Sequence, residues 1–279
     1  MSLGQPQRAL QVTERDRRIL SFTAEHRFVL AGHLAALLGV SPDAAGRRLR
    51  ALRAAGYVDD DRRLQGEPPN YRVTSRGLGA IDCDLPCPHP PDLAKYRHEA
   101  GVAWLTVGAE HGMFGPLAEI VSERRMRSHD GRPSGRAEPF GVRLGGLGRN
   151  GRQRLHYPDL LLVTDTGHRV AFELELTSKD VRRRERILSA YVTERRIDAV
   201  VYLVDDPARC RAIERSVRRL GIADRVRVEG VSVGHRAGAT SCTTAQRSAR
   251  RSASALPDRG ASAGERNASA GRPGPEAAA

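Results

Sequence analysis

Between Gly39 and Gly56 the sequence leaves the backbone few options. Gly39-Val40-Ser41 is a tight-turn signal, and Ser41-Pro42-Asp43 is a strong helix start. The serine hydroxyl can cap the first free amides. The proline lacks an N–H only where none is needed, and the aspartate meets the positive end of the helix dipole. The helix that follows, about 42–55, separates its faces. Ala45, Leu49 and Leu52 lie on one side, while Arg47, Arg50 and Arg53 lie mostly on the other, with Arg48 flanking. Just before it, about 29–38, Leu30, Leu34, Leu37 and Leu38 recur at helical spacing. A short helix, a glycine turn and an Arg-faced helix describe a helix-turn-helix.

The flanks extend that pattern. Thr13 to Arg27 reads as a helix with Thr13 as cap, Asp16 as the capping-box acid, and Ile19, Leu20 and Phe22 as anchors. Downstream, Tyr57-Val58 and Tyr71-Arg72-Val73 are short strands joined by a polar loop through Gly66-Glu67-Pro68-Pro69-Asn70, and Thr74-Ser75 caps another helix. With Gly56-Tyr57-Val58 and Tyr71-Arg72-Val73-Thr74-Ser75-Arg76-Gly77, residues 11–82 resemble a winged-helix domain. The resemblance implies that Arg47, Arg48, Arg50 and Arg53 face double-stranded DNA. Arg47 and Arg50 would reach base edges or phosphates, and Arg62, Arg63 or Arg72 the backbone. The same arginines would also suit a solvated face on a module that contacts only protein.

Charge agrees with a polyanionic partner. The formal net charge is +13, and residues 120–155 alone carry nine Arg against three acids. Basic surface attracts nucleic acid through counterion release, although an Arg-rich soluble protein would show the same excess. Of the 46 basic residues only Lys95 and Lys179 are lysine. A surviving lysine marks a place where a compact ammonium is needed, because arginine does not replace it at reactive sites.

Asp82 to Asp92 is proline-rich, which places a linker at 83–95. Beyond it we expect a helix over about 93–112 anchored by Trp104 and Leu105, a strand over 121–127, and a Gly/Arg-rich mobile loop over 130–154. His98 reads first as an ordinary packed histidine, with a functional base as the alternative. Leu160-Leu161-Leu162-Val163 is a strand, Thr164-Asp165-Thr166-Gly167 a hairpin turn, and Val170 to Leu176 a second strand. In that strand Phe172, Leu174 and Leu176 face one way, and Glu173 and Glu175 the other. Thr177 or Ser178 would then cap a helix whose first turn holds Lys179 and Asp180. A hairpin folded at 165–167 brings Asp159 opposite 172–174, although a slip of one residue would send it to the other face. Asp159, Glu173, Glu175 and Lys179 thus form a candidate catalytic set, with Asp159 and Glu173 as ligands for Mg²⁺. Half-buried strands also carry exposed acids with no such role. Helices over 181–195 and 207–220 and strands over 199–204 and 226–233 complete an α/β second domain, 96–235. Glu119 or Glu123 is a candidate further acid.

Pro158-Asp159 and Glu173 resemble two acid motifs of the PD-(D/E)xK nuclease superfamily. Glu175 stands where that pattern has lysine, and Lys179 lies four residues on. Ser122-Glu123-Arg124, Tyr157-Pro158-Asp159 and Glu173-Leu174-Glu175-Leu176-Thr177-x-Lys179 with Tyr191 are similar to the replication-relaxation family of actinobacterial plasmids and integrated elements, over about 11–233. That resemblance implies an α+β chain, a winged helix followed by a restriction-endonuclease-like domain. It implies work in plasmid or mobile-element replication and DNA relaxation beside replication or relaxosome proteins. It leaves open Mg²⁺-dependent nicking or a non-enzymatic regulator with a degenerate nuclease-like domain.

Other classes find no motif. There is no Gly-x4-Gly-Lys-Ser/Thr, no close histidine pair, and no G-x-G-x-x-G after a strand. Cys83-x3-Cys87-x-His89 lacks a fourth ligand for zinc. The longest apolar stretch, Phe28 to Val40, is too short to span a bilayer, and no secretion signal is evident. The expected location is therefore the cytoplasm, without membrane partners. The segment 236–279, rich in Ala, Ser, Gly, Arg and Pro, is expected to be a disordered tail.

Overall fold

The computed structural model describes residues 10–62, 66–132, 138–148 and 151–232. Arg63 and the tail at 236–279 lie outside them. Helix α1 (Glu14–Glu25) starts from a capping box. The Thr13 amide donates to Asp16 Oδ2 at 2.9 Å, and the Asp16 amide to Thr13 Oγ1 at 3.3 Å. Strand β1 (Val29–Leu30) then leads into α2 (Ala31–Leu38). The helix expected from residue 29 therefore begins two residues later, because Val29 and Leu30 are drawn into the wing sheet. Gly39 ends α2 at φ +64°, the left-handed conformation that glycine adopts without strain. Ser41 caps α3 (Pro42–Ala54), accepting from the Ala44 amide at 3.2 Å.

Strands β2 (Val58–Asp61) and β3 (Asn70–Val73) form the wing, and α4 (Ser75–Gly79) follows. The sheet order is β1-β3-β2, all antiparallel, with Val58 opposite Val73 and Val29 opposite Tyr71. Ile19, Leu20, Leu34, Leu49, Leu52 and Tyr71 are buried together beneath it. Each such aliphatic side chain contributes about 1.5–3 kcal/mol. Gly77 lies so close to the wing that a Cβ there would sit 2.1 Å from the Tyr57 carbonyl oxygen.

After a 3₁₀ turn at Leu93–Lys95 comes α5 (Tyr96–Glu110). Most of its residues are buried, as expected of a helix that is apolar all round. Ala103 and Val107 join the winged-helix core, while Val102, Leu105 and Ala109 pack on the second sheet with Phe114 and Phe172. The helix expected to open a separate domain is thus shared by both cores. Polar contacts reinforce the junction. Arg27 Nε lies 3.0 Å from Glu99 Oε1, Ser122 Oγ donates to Glu25 Oε2 at 2.6 Å, and Arg124 Nη1 donates to the His26 carbonyl at 3.0 Å.

The second sheet has the order β10-β9-β8-β7-β4. Its strands are β4 (Leu117–Ser122), β7 (Leu160–Thr164), β8 (Arg169–Glu175), β9 (Ala199–Val204) and β10 (Val226–Gly230). β4, β7 and β8 are antiparallel neighbours, and β8, β9 and β10 are parallel. Helix α5 covers one face. α7 (Val181–Thr193) and α8 (Pro207–Leu220) cover the other, over Ala171, Val200 and Tyr202. The whole is an α+β fold.

Two expectations for the middle segment are corrected. The strand expected over 121–127 runs instead from Leu117 to Ser122. There Ser122 accepts from the Arg125 amide at 3.1 Å and starts α6 (Glu123–Asp130), so local capping ends the strand. The loop expected over 130–154 contains a hairpin of β5 (Val142–Leu147) and β6 (Gln153–His156). Val142 is buried against the α7 side, with Leu144 and Leu155 packed beside it. Three positive-φ glycines, Gly145, Gly146 and Gly151, in a basic stretch hid that apolar alternation.

Candidate functional site

Helix α3 is fixed through Ala45, Leu49 and Leu52, which are all buried. Its opposite face leaves Arg47 and Arg50 exposed, and among the described residues neither has an acidic partner. Arg53 is 54% exposed and its Nε lies 2.7 Å from Asp60 Oδ1. Arg62 approaches the same carboxylate at 3.6 Å, and Arg72 Nη2 lies 3.1 Å from Asp59 Oδ2. The acidic strand β2 therefore engages Arg53, Arg62 and Arg72, leaving Arg47 and Arg50 uncommitted.

Arg48 corrects the expected interface. Its Nε donates to Asp16 Oδ1 at 2.5 Å and its Nη2 to Asp16 Oδ2, a two-pronged bond to a fully buried carboxylate. Burial pushes the Asp16 carboxyl up, but the Arg48 and Thr13 hydrogen bonds outweigh it and hold the acid below its ordinary range. Arg48 thus points from α3 into α1, where it neutralises an acid needed to cap that helix.

The second group of candidates meets at the β7–β8 end of the sheet. The ladder ends where Leu160 pairs with Phe172, and Asp159 lies just beyond it; its carboxylate turns to α5 whereas Glu173 faces α7, so the expected placement of the two acids on one face is corrected. The Asp159 amide donates to the Phe172 carbonyl at 3.0 Å, and Asp159 Oδ2 accepts from the Leu174 amide at 2.7 Å. That oxygen also takes His98 Nε2, from α5, at 3.1 Å. Burial opposes charge on His98, but the Asp159 carboxylate and its hydrogen bond, aided by Glu99 and Glu173, lift the imidazole to about 9. His98 is therefore more than packing: it is the cation matched to Asp159.

Glu173 is buried on the α7 side of the sheet. Its Oε1 accepts from His156 Nε2 at 2.6 Å and from the Tyr191 hydroxyl at 2.5 Å. Burial would raise this carboxyl. The His156 charge and hydrogen bond, with Lys179 and Tyr191, overcome burial and lower it, while His156 is raised in turn. Glu175, also buried, accepts from Lys179 Nζ. Burial resists the Lys179 charge, but Glu173 and Glu175 hold it above its ordinary range. Lys179 does not lie within a helix. Asp180 caps α7, accepting from the Arg182 and Arg183 amides at 3.2 and 3.0 Å, so neither Thr177 nor Ser178 is the cap.

Asp159, Glu173, Glu175 and Lys179 do come together, but each acid meets its own basic side chain: His98, His156 and Lys179. His98 and His156 escape a local reading because their partners lie 61 and 17 residues away. Tyr191 was visible only through the family resemblance. Mg²⁺ prefers carboxylate oxygens with uncompensated charge and room for several waters. Here one oxygen of each carboxylate is held by protein donors: Asp159 Oδ2 by His98 and the Leu174 amide, Glu173 Oε1 by His156 and Tyr191, and Glu175 Oε2 by Lys179. Among the described residues no group of three or more acid, histidine or cysteine side chains is arranged to hold a metal. Glu119 is exposed on β4, whereas Glu123 pairs with Arg127 at 2.7 Å and lines a small cavity with His98 and Asp159.

No protein-family model matches this chain, and no match is found among curated proteins. Among the described residues no helix is long and apolar enough to cross a membrane.

Proposed function

We propose that the chain is a duplex-DNA-binding protein that docks through α3 of its winged-helix half. The observation that carries this reading is the exposure of Arg47 and Arg50 on a helix whose other face is locked into the core. Such a helix lies in a major groove with its outward side chains on base edges and phosphates. The setting is plasmid or mobile-element replication, as the family resemblance implies. The second half supports the non-enzymatic form of the reading, because its acids are matched to protein cations. Nicking with Mg²⁺ draws support from the closeness of Asp159, Glu173, Glu175 and Lys179, while the bonds of those acids to protein donors weigh against it.

The test is fluorescence anisotropy of the full chain on duplex DNA over a salt series. Arg47→Ala with Arg50→Ala is expected to weaken binding by tenfold or more and to flatten the salt dependence by about two units of slope. Unchanged affinity in that variant refutes the docking face and favours a protein-contact module.

A further inference from the structure

A second basic feature lies far from α3 in sequence. Between the β5–β6 hairpin, α6 and α7 is a cleft of ≈ 600 Å³. Five arginines line it: Arg127 from α6, Arg154 from β6, and Arg182, Arg183 and Arg186 from the first turns of α7. Only one acid, Asp180, lines it too, and both of its oxygens already accept the backbone amides of Arg182 and Arg183. Arg127 is paired with Glu123 and lies over the Tyr157 ring. The other four are exposed and have no acidic partner among the described residues.

Four cations converging from two elements repel one another, and among the described residues Asp180 is the one acid that lines the cleft with them. Their side chains contribute no more than a solvated surface would to stability. Such an arrangement is favourable when a polyanion supplies the missing charge. The cleft has the size of a site for an organic ligand, well beyond a lone phosphate. Leu144, Leu155 and Ile187 line it beside the arginines, giving apolar surface next to cationic surface. That combination fits a chain of phosphates carrying sugars and bases. His156 lies at its inner end and links it to Glu173.

We propose that this cleft is a second nucleic-acid site, which holds a phosphodiester backbone through Arg154, Arg182, Arg183 and Arg186. It is independent of the α3 docking face, so either can fail without the other. Its arginines recognise phosphates and carry no base-edge geometry, which makes the site indifferent to sequence. With a backbone held at both sites, one chain can grip two segments of the same DNA.

The test uses the full chain carrying Arg182→Ala, Arg183→Ala and Arg186→Ala. These positions are exposed and helical, and alanine is the best helix former, so folding is retained. Anisotropy would be read on single-stranded and duplex oligonucleotides of unrelated sequence, with ATP as competitor. The same series would be run in the Arg47→Ala, Arg50→Ala background, where only the cleft remains. The expected result is residual oligonucleotide binding in that background. Adding the three α7 substitutions should weaken it by tenfold or more, with a salt slope shallower by about two to three. The preferred strand form is read from the two oligonucleotides. Equal binding with and without the α7 arginines overturns the proposal. Displacement of oligonucleotide by micromolar ATP overturns the nucleic-acid assignment in favour of a nucleotide pocket.

Discussion

Arg48 reaches out of α3, the arginine-faced helix of a helix-turn-helix, and grips Asp16, the fully buried capping acid of the first helix. The bond ties the N-terminus of α1 to the middle of α3. It also separates Arg48 from its neighbours, since Arg47 and Arg50 point to solvent.

Opposite phenotypes follow for adjacent residues. Arg48→Ala strands a buried carboxylate and is expected to cost about 3 kcal/mol, read as a lower urea midpoint. DNA affinity of the folded fraction should be unchanged. Arg47→Ala should leave stability within about 0.5 kcal/mol and weaken DNA binding. A stability loss at Arg47 with none at Arg48 would contradict the assigned orientations.

Gly77→Ala tests the contact between wing and α4. The added methyl would meet the Tyr57 carbonyl at 2.1 Å and Val73 Cγ2 at 2.8 Å, and backbone cannot give way cheaply. The expected loss is about 1–3 kcal/mol, as for other overpacked sites. Thermal unfolding would detect it, and a variant as stable as the parent would rule out this packing.

Stability should pass through a maximum near pH 6.5. His26 and His33 are wholly buried. Burial, with Arg124 beside His26 and His26 beside His33, depresses both to about 3. Their unfolded forms gain protons near 6.5, so stability is full above that pH and falls as pH drops from 6.5 toward 3. His98, lifted to about 9, has the opposite sign. Its contribution is full below 6.5 and is lost as pH rises from 6.5 through 9. Urea midpoints across pH 4–10 would show both limbs, and His98→Gln should flatten the alkaline one. An alkaline limb that persists in His98→Gln would show that the His98–Asp159 pair is not its source.

Divalent ions supply a separate check. A ligand that binds only the native state raises its melting temperature in proportion to the logarithm of ligand over Kd. Because the acids are already matched to cations, 5 mM Mg²⁺ or Mn²⁺, roughly a physiological excess, should leave the melting temperature unmoved. Supercoiled plasmid should stay intact. A clear upward shift, abolished by Glu173→Ala and accompanied by nicking, would reinstate the metal site.

The parts of the fold that were legible in the sequence are those governed by neighbours in the chain. Ser41-Pro42-Asp43 announces α3, and the Thr13–Asp16 capping box announces α1. The alternation in 170–176 correctly separates Phe172, Leu174 and Leu176 from Glu173 and Glu175. What escaped depends on distant partners. Nothing near residue 98 tells that its imidazole meets residue 159, and nothing near 48 distinguishes it from 47 until α1 is in place. The β5–β6 hairpin escaped because Gly145, Gly146 and Gly151 at positive φ break its period-two pattern.

The sharing of α5 bears on how the molecule can be cut. A fragment ending at residue 82 or 95 would lose Ala103, Val107 and Trp104 and would bare the α2 surface that they cover. The winged-helix half is therefore not a detachable module. A proteolytic nick in α5 should melt both halves in one transition, and the distance between the α3 arginines and the α7 arginines is set by the body of the protein rather than by a tether.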